Sequence, residues 1–479
     1  MAERNPSTSR SALLTALSTA FVNAAAAAAA ILIAHRFGRT HRTDGFFQAY
    51  AIYLVLTLAA SAFRVVVLPP LTRARVEGRL RGELTGFAAA LAVVSAPALV
   101  VAVAVGLAVS GGETADAFGS ALPWFVAAGV LQLYAGLAAS ALAAHDDYRV
   151  AALAYALGAV AGVGLFAALI SHGLQALMWG QLLNGAVSLG VPLLALLPRL
   201  DRGRRALEVG RRLWALARGA AVPVALQALF VIANAFALRL GRGESTTFTY
   251  AFFLASFLVA VTASALSLVS SAPLTRRGLS AEAAAAHVVN TSWISLTLIA
   301  GAVGVFALVG HRIVAAVLGG AYSGDAGHDL ARLVVFLGPW MVASVALTLA
   351  FPLLFVAERP SVLLPLAIAL PLLQVPLAWG LEQPLGLDGL ALALALTTLI
   401  ALGVLMGGIS RRTLLLAALG LGRLALVVAG VAALSFGVLA ALVGGVPAAA
   451  GGLVLYAVLL ALALPLGLRG AWTYVRALR

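Results

Sequence analysis

The sequence predicts an all-α polytopic membrane protein. About 14 transmembrane helices form two six-helix lobes related by a parallel repeat, followed by a C-terminal helix pair. Three observations carry this. Of 479 residues, 63% are hydrophobic and only 10% are charged; with a mean hydropathy of +1.06, no soluble globular domain has that balance. Apolar runs long enough to cross a bilayer core as helices, about 20 residues each, follow one another along the chain with short polar breaks. The third observation is an internal repeat.

The repeat is seen by shifting the chain by 203 residues, which lays Ala34–Arg73 on Ala237–Arg276 without a gap. The copies share Arg36/Arg239, Gly38/Gly241, Arg39/Arg242 and Thr43/Thr246, then Ala60-Ser61-Ala62 with Ala263-Ser264-Ala265. They close on Pro70-Leu71-Thr72-Arg73 and Pro273-Leu274-Thr275-Arg276. In a chain rich in Ala and Leu, the turn residues and the closing tetrapeptide carry the match.

In order, the candidate helices of the N-lobe (1–198) are Ser11–Ala34, Phe46–Leu71, Leu84–Ser110, Leu122–Ala144, Val150–Ile170 and Leu174–Leu197. Residues 199–218 form a cytoplasmic basic link, either a solvated connector or an amphipathic surface helix with Val209, Leu213 and Leu216 on one side. The C-lobe (219–408) holds Ala220–Leu238, Thr247–Ser271, Ala283–Val309, Leu330–Ala357, Ser361–Trp379 and Leu387–Gly408. The C-terminal pair and tail (409–479) hold Leu414–Leu442 and Ala448–Leu468, with Gly444-Gly445-Val446-Pro447 as the turn.

Arginine fixes the expected orientation. All 31 basic residues are arginine. With the N-terminus inside, 23 of them fall in inner segments and six in outer loops, leaving Arg64 and Arg332 within or at the start of helices. That asymmetry places both termini in the cytoplasm. Six helices per lobe bring both repeat copies in from the same side, which makes the repeat parallel.

Composition also excludes. There is no cysteine, hence no disulfide and no thiolate chemistry. No loop is long enough for a soluble catalytic domain, and no nucleotide-binding glycine motif stands in a strand–helix context. The net charge of +14 sits in short loops as topology signals and does not point to nucleic acid. His145-Asp146-Asp147 is a solvated loop and not a metal site, because three adjacent residues cannot converge on one ion. No metal, cofactor or enzymatic activity is expected.

Polar groups inside the membrane are costly and are site candidates by default. Arg64 leads, in the inner third of the second helix, with Thr57 and Ser61 on its face. An arginine in a partly wet cavity binds anions such as phosphate bidentately; the alternative is a snorkelling side chain. Ser264 and Ser267 form the matching stripe in the second copy, and a two-fold relation would set both stripes across a central cavity. Asn23, Gln227 and Asn234 follow, either in that cavity or bonding between helices. Gln132, Gln181, Asn184, Asn290 and Gln374 are weaker. Asp44 starts the second helix on the outside, as a helix-start charge or as an outer gate with Arg36 or Arg39. None of the 17 carboxylates lies mid-helix, which argues against cation-coupled drug export and for an anionic cargo.

Several segments then resemble one family. Phe37-Gly38 with Thr43-Asp44-Gly45-Phe46-Phe47-Gln48-Ala49-Tyr50 is similar to the signature of the MurJ (MviN) lipid II flippases, within the multidrug/oligosaccharidyl-lipid/polysaccharide exporter superfamily. Gly241–Ala251, Ile313–Ser323, Phe351–Pro360 and Gly386–Ala393 resemble its later segments in order and spacing. The resemblance implies a two-lobed, 14-helix fold in a bacterial plasma (inner) membrane. It implies a polyprenyl-diphosphate-linked saccharide as cargo, and membrane lipids and other cell-wall synthesis proteins as partners. The family carries cavity arginines on its first, second and eighth helices; the matching positions hold Asn23, Ala29, Thr57 and Phe253. Arg64, two turns from Thr57, is placed to replace that charge. The expected function is therefore a lipid-linked precursor flippase working by alternating access. The alternatives are a cation-coupled small-molecule or drug exporter, and a non-transporting scaffold for cell-wall synthesis.

Overall fold

The structure is a computed structural model. It describes the backbone of residues 6–201, 203, 208–277, 280–357, 360–463, 465 and 468–477. Within these helices the side chains of 6–17, 19–20, 65, 261, 263–277, 352, 355–356, 360, 471–472 and 475–477 lie outside the description. The described chain is helical, with no strand.

The first unit, Met1–Val231, begins with α1 (Pro6–Phe37), α2 (His41–Ala62) and α3 (Arg64–Val76). It continues with α4 (Leu80–Ala108), α5 (Glu113–Ala144), α6 (Tyr148–Ala168), α7 (Gln175–Leu196) and the first part of α8 (Val209–Leu240). Thr40 caps α2: its hydroxyl accepts from the Thr43 amide at 3.2 Å, and the Thr43 hydroxyl accepts from the Thr40 amide at 2.8 Å, a reciprocal pair that satisfies two orphan donors. The second predicted helix is in fact two. It breaks at Phe63, whose carbonyl accepts from both Val66 and Val67. Phe63 stays right-handed, at φ −68° and ψ −18°, so the break is one tightened turn; Pro69 and Pro70 follow it and leave the carbonyls of residues 65 and 66 without an N–H one turn on.

The basic link also differs from expectation. Its last ten residues are the start of α8. Leu216 is buried, and Val209 and Leu213 pack with it on a cluster that includes Leu71, Leu80, Leu137 and Leu142. The apolar stripe therefore faces protein and not a membrane surface. Asp201 accepts from the Leu80 amide at 2.7 Å and the Arg81 amide at 3.2 Å, capping α4 from outside its own segment.

The second unit, Ile232–Arg479, takes the rest of α8, α9 (Glu244–Arg277), α10 (Ala281–Leu318), α11 (Asp325–Phe336) and α12 (Gly338–Val356). It ends with α13 (Leu363–Ile409), α14 (Arg411–Leu442), α15 (Gly445–Leu462) and α16 (Leu468–Ala477). α13 is 47 residues long and breaks at Gly386, where φ is 57°, a value glycine adopts without strain. The halves 363–385 and 387–409 are each long enough to cross a bilayer. α11 and α12 bend by 41° at their junction, so the single predicted tenth helix is a broken one. The predicted last helix ends at Leu462, and α16 follows as a separate piece.

Ten helices are long and apolar enough to cross a membrane, or eleven with the bent pair, among the described residues. The 203-residue shift is written into their ends: α1 stops at Phe37 and α8 at Leu240, α2 starts at His41 and α9 at Glu244. Val94, Val101 and Leu107 of α4 and Leu419, Leu426 and Leu442 of α14 are exposed, as lipid-facing residues are. The chain is a multi-pass membrane protein.

Candidate functional site

Inside the first unit, α1, α2, α5, α6 and α7 enclose a cavity of about 250 Å³. α2 supplies Tyr50, Tyr53, Thr57 and Ser61, spaced three, four and four residues apart, hence on one face. Among the described residues, α1 supplies small and apolar ones, Val22, Ala25, Ala26 and Ala29. Gln132 comes from α5, Tyr155 from α6, and Gln181 with Asn184 from α7. Among the described residues, none that lines it is charged.

The wall is fixed by packing and by hydrogen bonds. Phe125 lies edge-on to Tyr50 at 5.3 Å and tilted against Tyr53 at 5.9 Å between ring centres, contacts worth about 0.5–1.5 kcal/mol each beyond their buried area. The Tyr53 hydroxyl interacts with Gln132 and Asn184. Asn184 donates to Gln181 at 3.3 Å and accepts from Ser188 at 3.3 Å. α6 and α7 come close because Gly158, Gly162 and Gly180 carry no side chain: a Cβ on Gly162 would lie 2.6 Å from the Gly180 carbonyl oxygen. This is the small-residue spacing of membrane helix pairs, visible in the sequence as Gly158-Ala-Val-Ala-Gly162.

The sequence-derived candidates separate. Thr57 and Ser61 line the cavity. Arg64 is half-buried at the start of α3, close enough to act electrostatically on the Tyr155 hydroxyl of the wall. Asn23 is half-buried on α1 beside the lining residue Val22 but does not line the cavity. Gln227, on α8, is half-buried, and its side-chain nitrogen has no partner among the described residues. Asn234 is fully buried, and its Oδ1 accepts from Ser245 at 2.9 Å and Thr249 at 3.3 Å, a bond between α8 and α9. Ser264 and Ser267 lie on α9, and their side chains fall outside the described residues. Asp44 is buried in the first turn of α2; Arg36 is exposed at the end of α1, and Arg39 is half-buried in the turn between them. Sequence reasoning missed the three tyrosines. Extending the Thr57–Ser61 stripe back by one and two turns would have found two of them.

A second polar feature closes one end of this unit. Arg212 of α8 is buried against Glu83 of α4, with Nε at 3.2 Å and Nη2 at 2.6 Å from the two carboxylate oxygens. Arg199 meets Asp147 at 2.8 Å and Arg75 meets Asp146 at 3.2 Å. Among the described residues, no three His, Asp or Glu side chains are grouped to hold a metal ion.

No protein-family model and no curated protein matches the sequence. Solved structures do. The lipid II flippase MurJ in an inward closed conformation superposes with a TM-score of 0.72 at 12% identity, over 95% of this chain and 99% of that one. An inward-facing multidrug resistance transporter of the MATE family, in the MOP superfamily, gives 0.66 at 14% identity, over 84% and 94%. A MOP superfamily transporter from Pyrococcus furiosus, described by a reversed polarity of its binding pocket, gives 0.61 at 15% identity, over 88% and 96%. Across nearly its whole length, the chain has the all-α fold shared by MurJ and the MATE transporters of the MOP superfamily.

Proposed function

We propose that the protein is an alternating-access flippase for a lipid-linked, anionic cell-wall or polysaccharide precursor: lipid II or a related polyprenyl-diphosphate saccharide. The observation that carries this is the uncharged polar cavity of the first unit with Arg64 at its edge. A multidrug cation would be met by a carboxylate; among the described residues this wall has none, and it sets amides, hydroxyls and three tyrosines beside one guanidinium, Arg64. Arg64 takes the diphosphate through charge-assisted hydrogen bonds. The arginine-rich end of the first unit faces the cytoplasm, both termini lie there, and the membrane is a bacterial plasma membrane. The N-lobe, basic link, C-lobe and C-terminal pair are the working parts, and Asp44 with Arg36 and Arg39 forms the outer gate.

The test is movement of a fluorescent lipid II analogue in liposomes holding wild type, Arg64→Ala or no protein. Wild type should flip. Arg64→Ala should lose about tenfold or more, the equivalent of the ~1.5–3 kcal/mol of a charged hydrogen bond, with an unchanged melting temperature. Equal flipping by the mutant would return Arg64 to a snorkelling role.

One observation favours a second reading, the cation-coupled exporter. Glu382, four residues before the break in α13, is only 6% exposed, and its Oε2 is unpartnered among the described residues. Ion-dependent dye efflux abolished in Glu382→Gln would support it.

A further inference from the structure

We propose that the cavity of the first unit is a subsite for a single neutral sugar ring, the part of the cargo that Arg64 does not hold; this rests on the flippase reading above. Size is the first argument. A volume of about 250 Å³ lies just under the ~300–1,000 Å³ typical of ligand pockets. It admits one ring and not a polyprenyl chain. The lining chemistry is the second. A lipid tail would be met by a fully apolar wall, and a diphosphate by several cations. This wall has amides at Gln132, Gln181 and Asn184, and hydroxyls at Thr57 and Ser61 that donate to the Leu54 and Thr57 carbonyls at 3.0 and 3.3 Å and keep lone pairs to accept. That is the complement of a ring of hydroxyl and acetamido groups.

Preorganisation is the third argument. Phe125 holds Tyr50 and Tyr53, and Asn184 is tied to Gln181 and Ser188, so few rotamers need freezing when a ligand enters. The small residues of α1, Ala25, Ala26 and Ala29, leave the space open opposite the polar face. Specificity would follow from this wall: buried amides reject an analogue that leaves them unpaired.

The native chain has no cysteine, which allows a clean accessibility experiment. Thr57→Cys puts a thiol in the wall; Ser171→Cys, in an exposed turn, is the control. The purified full-length variants are treated with a small water-soluble thiosulfonate reagent, alone and with an N-acetylhexosamine, a deoxy analogue of it or inorganic pyrophosphate. The inference expects the thiol at 57 to react. It expects the N-acetylhexosamine to slow it about threefold at twice its Kd by mass action, the deoxy analogue and pyrophosphate to leave it unchanged, and the control to be indifferent. Asn184→Leu in the Thr57→Cys background should remove the protection while the thiol still reacts. Three results would overturn the subsite: no reaction at 57, no protection at any attainable sugar concentration, or protection that survives Asn184→Leu. The experiment measures no transport. Protection without flipping by wild type would remove the flippase reading, and flipping without protection would remove the subsite alone.

Discussion

The pairs α1–α2 and α8–α9 are two copies of one scaffold piece, with helix ends in register at the 203-residue shift, and they carry different loads. On α2 one face reads Tyr50, Tyr53, Thr57 and Ser61, and Arg64 follows at the start of α3. The matching positions on α9 read Phe253, Ser256, Ala260, Ser264 and Ser267. In the second copy a buried polar group is spent on structure: Asn234 binds Ser245 and Thr249. In the first copy the corresponding residues are Ile31, Arg42 and Phe46, and the polar groups line a cavity. The first copy also breaks at Phe63 and the second does not; the first has Pro69-Pro70 where the second has Ala272-Pro273. The duplicated scaffold keeps its helix ends, while the capping Thr40 gives way to Gly243 and the buried polar groups differ.

The units differ most in how they treat charge, and this gives the largest expected effect. Arg212, 2% exposed, pairs with Glu83; Glu282 of the second unit meets Arg412 with both side chains half or more exposed. Glu83→Ala strips a buried guanidinium of its bidentate partner and should destabilise by about 3–5 kcal/mol. Glu282→Ala should cost under about 1 kcal/mol. Thermal unfolding of the detergent-solubilised protein reads both; equal losses would show that the buried clasp is not the distinction.

The same substitution should also change sign between the units. Gly162→Ala puts a Cβ 2.6 Å from the Gly180 backbone, so α6 and α7 must part, at about 1–3 kcal/mol and with the cavity deformed. A Cβ on Gly301 of α10 meets nothing closer than 3.5 Å, at Tyr456. Gly301→Ala should therefore gain up to about 1 kcal/mol from lower backbone entropy in the unfolded chain. Asn234→Ala lies between: leaving two buried hydroxyls without their acceptor costs about 1–3 kcal/mol. Flipping per folded molecule should be unaffected, whereas a defect there would put Asn234 back among the cargo contacts.

Much of the fold was legible because membrane spans are long, apolar and separated by Gly, Pro and Arg. The expected ends next to the repeated turns, Ala34, Phe46, Leu238 and Thr247, lie two to five residues from the observed Phe37, His41, Leu240 and Glu244. The breaks at Phe63 and Gly386 were partly legible: Pro69-Pro70 is visible as a stop signal, but whether a helix stops or only bends depends on its packing. The cavity was half legible. Thr57, Ser61 and Arg64 stand out because polar residues in a membrane helix are rare, whereas Tyr50, Tyr53 and Tyr155 pass as ordinary interfacial or core aromatics. Arg212 was hidden for the opposite reason. In a basic segment a buried arginine looks like its solvated neighbours, and only Glu83 and the space left by Gly86 distinguish it.

The smallest effect tests whether the closed end of the first unit responds to acid. His145 follows α5. Burial holds its imidazole below the ordinary 6.5, and the positive charges of Arg75 and Arg199 add to this. For Asp147, burial pushes the carboxyl up but is outweighed by the hydrogen bond from Arg199, the amide bonds at Val150 and Arg149 and the charge of Arg199, so it ends below the ordinary 3.8. Both shifts have the same sign in linkage: the unfolded chain takes up protons first, so stability falls as pH falls. For His145 the loss begins as pH drops through 6.5 and is complete once it has passed the lowered folded value. For Asp147 the loss begins near 3.8 and continues below it. Because His145 is half-buried at the edge of the unit, its step should be a small fall in melting temperature between pH 7 and 5, absent in His145→Gln. The step should also shrink in Arg199→Gln, where one of the charges that depresses the histidine is gone. A wild-type step that His145→Gln leaves intact would assign the acid response to another group and leave the closed end of the first unit insensitive to pH.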